Sequence, residues 1–212
     1  SRSSRFRMPS MVLRDWALFS SGLLNRKLGG SPVYPYQPDK VWEALAVNKG
    51  RAFDYPQSLG DDLYRRSLYT FWRRTVGPVN MFDSSDRQAC RVKPGQTSTP
   101  LHALTTLNDP TWVEAARFLA ELVMQEKDEL PKRIEYAFRL VNSENPSPSK
   151  LDILKAAYEE QVNIYHKSPD DAEKLLAVGD KKRNPNLPLP EHAALTNLCL
   201  AILNLDQSLT RE

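Results

Sequence analysis

Helix-start signals built on proline are the feature that most constrains the fold of this chain. Proline is tolerated at the first position of an α-helix but not inside one, and a preceding Asp or Ser can accept a hydrogen bond from a free backbone N–H group. Such pairs occur at Asp109-Pro110, Ser147-Pro148 and Ser168-Pro169, and Pro131 lies between the first two. Each precedes residues with helical periodicity. The second half of the chain is therefore predicted to be a helical bundle.

Apolar residues after these signals recur every three or four positions, which is typical of helices with one buried face. The predicted inward positions are Val113, Ala116, Leu119, Ala120, Val123, Ile134, Ala137, Phe138, Val141, Leu151, Leu154, Tyr158 and Tyr165. The charged residues of the bundle are expected on its solvated surface. A last helix is predicted from His192 to Leu203, after a charged, proline-rich linker with the sequence KKRNPNLPLP.

The first half of the chain is less regular. Helical spacing predicts a helix from Ser10 to Leu24 and a shorter one from Pro100 to Leu107. The segment Leu63 to Arg74 is ambiguous, and we expect a strand because its aromatic and β-branched residues favour one. Between Val76 and Gln96, Gly-Pro and Asp-Ser-Ser-Asp turns predict an irregular segment with a small hairpin.

These patterns together predict a mainly α-helical fold, in which a C-terminal helical bundle packs on an irregular central segment with a short strand or hairpin. A chain of 212 residues is long enough to bury a substantial core. We expect one domain over residues 1–212. Its N-terminal lobe would span residues 1–108 and include the irregular segment, and its bundle lobe would span residues 109–212.

Composition excludes few classes of function. Hydrophobic residues make up 41% and charged residues 26%, and no run of about 18 apolar residues that could span a bilayer is present. The formal net charge of +3 is too small to predict a nucleic-acid partner without a concentrated basic face. The chain opens SRSSRFRMPS without the apolar segment of a signal peptide, so we interpret it as part of a longer protein.

Cysteine and histidine content gives no sign of a metal or haem site. The two cysteines, Cys90 and Cys199, form neither a Cys-x-x-Cys pair nor a disulfide framework. No two of the three histidines are three or four residues apart, as ligands on one helix would be. We expect no metal and no cofactor in this chain and two unpaired thiols, although a disulfide between them stays open.

The sequence FDSSDRQACR contains the candidate catalytic residues. Asp83 and Asp86, three residues apart, could act as general acid and base or hold a hard cation, and Arg87 could orient an anionic group. The alternative is that both carboxylates cap turns and the arginines form structural ion pairs. Cys90 lies between Arg87 and Arg91, whose charges would favour a reactive thiolate, but no histidine partner is identifiable.

Two arginine pairs, Arg65-Arg66 and Arg73-Arg74, flank the aromatic residues Tyr69, Phe71 and Trp72. Such a pattern can stack on sugar rings and pair with sulfate or carboxylate groups. The predicted ligand-binding residues are Arg65, Arg66, Tyr69, Trp72, Arg73 and Arg91. The alternative is that the aromatic rings fill the core. If these residues are exposed, an anionic polysaccharide is a better match than nucleic acid.

Four separated motifs also carry a family resemblance. The most specific is YRRSLYTFWRRTVGPVNMFDSSDRQACRVKPGQTSTPLHALTTLNDPTWVEAARFLAE, and the others are RFRMPSMVLRDWALFSSGLL with GGSPVYPYQP, RIEYAFRLV and LTNLCLAILNLDQSLTRE. With these motifs the chain resembles the planctomycete-specific domain of unknown function found at the C-terminus of large exported proteins, commonly behind a cytochrome-c-like haem module. The resemblance covers nearly the whole chain.

The resemblance implies an extracytoplasmic location, in the periplasm or at the cell surface, and a haem module upstream of this chain. It implies a non-catalytic scaffold or binding domain that contacts other domains of the same polypeptide or polysaccharide. The alternative is a hydrolytic enzyme that acts on extracellular polymers through Asp83, Asp86 and Arg87. The family pattern has Gln within TPLQAL where this chain has His102, which weakens any mechanism with His102 as base or ligand.

Overall fold

The computed structural model describes residues 6–38, 41, 55–72, 77–78, 80–83 and 99–211. Within these ranges the chain is mainly α-helical, which confirms the predicted fold class. The helices are α1 (Ser10–Ser20), α2 (Pro100–Asn108), α3 (Pro110–Glu126), α4 (Leu130–Asn142), α5 (Pro148–Lys167), α6 (Pro169–Leu176), α7 (Leu189–Leu203) and α8 (Asp206–Leu209). Two short strands, β1 (Phe6–Arg7) and β2 (Thr210–Arg211), pair in antiparallel fashion. None of the helices in the described ranges is both long and apolar enough to cross a membrane.

Proline marks the helix starts as the sequence predicts. It occupies the first position of α2, α3, α5 and α6 and the second position of α4. The Asp109 side chain accepts a hydrogen bond from Thr111 N at 2.9 Å, and Ser147 Oγ accepts one from Lys150 N at 3.4 Å. These bonds satisfy N–H groups that have no partner within the helix.

Helix α3 lies at the centre of the bundle. It packs against α7 most extensively, and also against α1, α4 and α6, so it is buried around most of its circumference. The predicted inward residues of α3 and α4 are all buried, while in α5 only Leu151 of the four is partly exposed. The core runs from Met8, next to β1, to Leu209 at the end of α8, so both ends of the described chain contribute to it.

The predicted strand from Leu63 to Arg74 is wrong over the residues that the structure describes. Residues Gly60–Tyr64 and Ser67–Tyr69 form 3-10 turns instead. Strand-like pairing is limited to two isolated parallel bridges, which join Asn25 to Arg65 and Val33 to Thr70.

Two side chains of α1 explain why this segment does not form a strand. The buried Arg14 guanidinium donates hydrogen bonds to the carbonyl oxygens of Leu63 at 2.8 Å and Arg65 at 2.9 Å. The Asp15 carboxylate accepts from Ser67 N at 2.7 Å. Backbone groups that a neighbouring strand would need are therefore bonded to α1, and the aromatic composition does not decide the local conformation.

Candidate functional site

Asp83, the described member of the predicted catalytic group, lies at the N-terminus of α1. Both of its carboxylate oxygens are 3.0 Å from Ser10 N, and one also accepts from the Ser10 hydroxyl. The carboxylate thus caps α1 from a distant part of the chain, at the helix end where negative charge is favourable. The other predicted catalytic residues, Asp86, Arg87 and Cys90, lie outside the described residues, so the catalytic prediction stays a prediction.

The structure joins two of the predicted ligand-binding residues, Arg65 and Tyr69. The Arg65 guanidinium lies 4.1 Å from the centroid of the Tyr69 ring and donates to the carbonyl oxygens of Ser31, Lys27 and Gly29. The Tyr69 hydroxyl accepts from Gly29 N at 2.9 Å. Only 2% of Arg65 is exposed. In this arrangement the pair holds the loop after α1.

Of the remaining predicted ligand-binding residues, the structure describes Arg66 and Trp72. Arg66 is 49% exposed, and its Nε lies 3.8 Å from Asp15 Oδ2 on α1. Trp72 is half-buried, while Arg73 and Arg91 lie outside the described residues. A saccharide role for this segment remains a prediction.

A charged network that the sequence analysis missed lies inside the bundle. Glu114, Arg117 and Glu121 are buried on α3, with 0%, 0% and 7% exposed. Arg117 Nη2 is 3.3 Å from Glu114 Oε1, and Arg117 Nη1 is 3.3 Å from Glu121 Oε1. Their spacing of three and four residues puts them on one helix face, which is a signal visible in WVEAARFLAELVMQE. The expectation that charged residues of the bundle lie in solvent is therefore wrong for these three.

Glu114 is the residue on which most of the network converges. Its Oε2 accepts from the Tyr36 hydroxyl, and its Oε1 accepts from the Tyr64 hydroxyl and from Lys181 N, each at 2.9 Å. Burial, reinforced by the Glu114 carboxylate, raises the pKa of both tyrosines, so they remain neutral donors. A buried carboxylate is tolerated here because it has several donors as well as the Arg117 charge.

The connection between α6 and α7, residues 177–188, covers this face of α3, and we call it the cover loop. Lys181 O accepts from Arg117, and Asn184 N donates to Glu121 Oε1 at 3.2 Å. At Gly179 φ is +103°, and an added Cβ would lie 2.5 and 2.6 Å from the Glu114 carboxylate oxygens. The segment predicted as a linker is therefore bound to α3 through its backbone.

His192 lies beside the network in the first turns of α7. It is 0% exposed, and its Nε2 is 3.6 Å from Glu121 Oε1. Burial lowers the pKa of His192 to about 4, and the charges of Arg117 and Arg183 act in the same direction, so the imidazole is neutral near pH 7. Burial also raises the pKa of Glu121, against the effect of its hydrogen bonds from Asn184 and Arg117.

Enzymes use carboxylate, guanidinium and imidazole groups for catalysis, but here these groups are enclosed by the protein. A carboxylate beside an imidazole can transfer protons only if a substrate comes within hydrogen-bond reach. Glu114, Arg117 and His192 have no solvent-exposed surface. Their contacts join α3 to the cover loop and α7, so the arrangement holds helices and loop together. Within the described residues no group of three or more His, Cys, Asp or Glu side chains is placed to hold a metal ion.

Two cavities lined by described residues open on the surface of the bundle, and neither is lined by a catalytic or ligand-binding residue predicted from the sequence. The larger cavity is mostly apolar, with a volume of about 390 Å³. It is lined by Phe138, Lys150, Ile153, Leu154, Leu205, Asp206 and Gln207. The smaller cavity is mostly polar, with a volume of about 230 Å³. It is lined by Lys127, Lys132, Glu135, Tyr136, Arg139 and Asn145.

The fold and site define a mainly α-helical domain built around one central helix with a sealed row of charges. A family model described as PSD1, a protein of unknown function (DUF1553), matches residues 1–158, so the chain belongs to this family. The matched residues end within α5, whereas α7, the main packing partner of α3, lies beyond them. No curated protein and no solved structure matches the chain.

Proposed function

We propose that this chain is a non-catalytic scaffold or binding domain of an exported, haem-containing multidomain bacterial protein. Its partners would be other domains of the same polypeptide or an anionic polysaccharide, outside the cytoplasm. The exported location and the upstream haem module rest on the motif resemblance. The observation that carries the non-catalytic part of the proposal is the sealed network of Glu114, Arg117, Glu121 and His192.

An ionisable group loses its hydration when it is buried, and contacts within the protein must offset this loss. At this network the contacts are the cover loop, two tyrosines and the charges themselves. A catalytic acid or base would need an approach for substrate, and catalytic sites are normally open clefts. The lowered pKa of His192 does not by itself indicate catalysis, since structural ion-pair networks perturb pKa values as active sites do.

Thermal unfolding in the presence of glycans tests the binding part of the proposal. A ligand that binds only the folded protein, at about ten times its Kd, adds about 1.4 kcal/mol to the unfolding free energy. For a domain of this size, that raises Tm by about 3–6 °C. We expect the rise with dextran sulfate or polygalacturonate and not with neutral dextran. No rise with either anionic polymer would remove the polysaccharide and leave contacts with partner domains.

The hydrolytic alternative predicts that the protein shortens such polymers. Asp83 caps α1 in the structure, so Asp83→Asn, which keeps a cap-forming side chain, is a suitable test variant. We expect no release of reducing ends by the wild type. Release by the wild type that Asp83→Asn abolishes, at unchanged Tm, would contradict the non-catalytic proposal and favour the hydrolase.

A further inference from the structure

We propose that the polar cavity beside α4 binds an anionic sugar residue, in which a carboxylate or sulfate group lies next to free hydroxyl groups. This inference rests on the proposed function, and it names the site and the ligand class. The cavity lies where α3 passes into α4 and is lined by Lys127 from the α3–α4 connection, by side chains of α4 and by Asn145 after α4. It is also distinct from the arginine-rich segment that the sequence analysis selected.

The positions along α4 explain why the cavity has one continuous wall. Lys132, Tyr136 and Arg139 follow each other at spacings of four and three residues, which places them on one face of the helix. Lys127, the first residue after α3, comes over the same face, and its Nζ lies 5.1 Å from the centroid of the Tyr136 ring. Asn145, after α4, lines the cavity as well.

Two of the three cations that line the cavity have no partner of opposite charge among the residues that the structure describes. Arg139 Cζ lies 5.5 Å from the Tyr136 centroid, and in the described part of the chain neither Arg139 nor Lys127 forms a salt bridge. Lys132, by contrast, is 3.0 Å from Glu129 Oε1. The two unpaired charges converge on one ring, where a planar anion can meet both, and a guanidinium can bind a carboxylate or sulfate through two parallel hydrogen bonds.

The other lining groups favour a hydroxylated ligand over a bare anion. Glu135 adds a negative charge that repels a compact, highly charged ion but accepts hydrogen bonds from hydroxyl groups. Asn145 can donate and accept. The Tyr136 ring is half-buried and offers an apolar surface that the C–H face of a sugar ring can cover. A cavity of about 230 Å³ has room for one such residue rather than a longer oligosaccharide.

Backbone amide NMR titrations with galacturonate, galactose and sodium sulfate test the site, because the three probes separate charge from hydroxyl recognition. We expect galacturonate to shift the amides of residues 127–145, galactose to shift them much less, and sulfate to bind more weakly than galacturonate. Arg139→Gln is expected to weaken galacturonate binding about tenfold, as is typical of one lost charge-assisted contact. Lys174→Gln is the control, because Lys174 is 76% exposed on α6 and its loss changes the net charge equally.

Several outcomes would overturn the inference. Equal shifts with galactose would show that charge is not recognised, and equal affinity for sulfate would show a plain anion site. An equal effect of Lys174→Gln would show unspecific attraction. If anionic polymers raise Tm of the Arg139→Gln variant as much as that of the wild type, the protein binds polysaccharide but not at the cavity beside α4. If galacturonate shifts the amides of α4 while no polymer raises Tm, the cavity binds the sugar acid but the proposed polysaccharide binding is refuted.

Discussion

Replacing Gly179 with alanine tests how closely the cover loop packs on α3. At φ of +103° an alanine is strained, and in left-handed conformations this costs about 1–2 kcal/mol. Its methyl carbon would also overlap the Glu114 carboxylate, 2.5 and 2.6 Å from the two oxygens. To relieve the overlap, the loop or Glu114 must move, which breaks the charge-assisted bond from Lys181 N, worth about 1.5–3 kcal/mol. We expect Gly179→Ala to lower the unfolding free energy by about 2.5–5 kcal/mol.

Gly60→Ala is the matched control, because Gly60 has φ of +58° but nothing within 4 Å of an added Cβ. It should lose only the strain energy of about 1–2 kcal/mol. Urea unfolding followed by circular dichroism measures both variants, compared at an unchanged m-value. In a Glu114→Ala background, the cost of Gly179→Ala should fall to that of Gly60→Ala. A difference between the two alanine variants of less than about 0.5 kcal/mol would refute close packing of the loop on Glu114.

Three further predictions concern pH, the hydrogen bonds that Arg14 of α1 donates to residues 63–67, and the Asp109 helix cap. The unfolding free energy should be highest above pH 6.5 and fall by up to about 3 kcal/mol toward pH 4. The reason is that His192 binds a proton in the unfolded chain, whereas the buried imidazole, with its pKa of about 4, does not. Urea unfolding of His192→Gln should show a flatter profile over this range, and an unchanged profile would count against a buried neutral imidazole. Arg14→Lys should lower the unfolding free energy by about 2–4 kcal/mol in the same assay, since one ammonium group cannot reach all the acceptors that the forked guanidinium reaches. A loss below about 0.5 kcal/mol would mean that these hydrogen bonds do not hold the segment. Asp109→Ala should cost about 1 kcal/mol in thermal unfolding, whereas Asp109→Asn keeps the cap and most of the stability, and equal losses would exclude capping as the reason.

Helices that begin at or next to a proline could be predicted because their sequence signals are local. The Asp109 and Ser147 caps and the stripe from Val113 to Val123 follow from spacings of two to four residues, and the structure has them where the sequence places them. The conformation of residues 60–70 could not be predicted in this way. It depends on Arg14 and Asp15, about fifty residues earlier, whose side chains occupy the backbone groups of that segment.

The charged network was harder to predict than the helices for a similar reason. Arg117 between Glu114 and Glu121 is also the pattern of a solvated helix face with favourable i, i+3 and i, i+4 pairs. The cover loop buries this face of α3, but its prolines and lysines are typical of a linker. The cavity beside α4 likewise depends on how α3 ends against α4, which the residues of either helix alone do not specify.

Residue-resolved hydrogen exchange at Lys181 and Asn184 tests most directly whether the network is sealed as part of the fold. Both amides donate to buried carboxylates of α3, at 2.9 and 3.2 Å. If the cover loop stays closed over the charges, they exchange only through openings nearly as costly as global unfolding, at rates close to that of Leu119 in the core. Exchange as fast as that of the exposed residue Lys182 would mean that the loop opens readily, and would contradict a purely structural network.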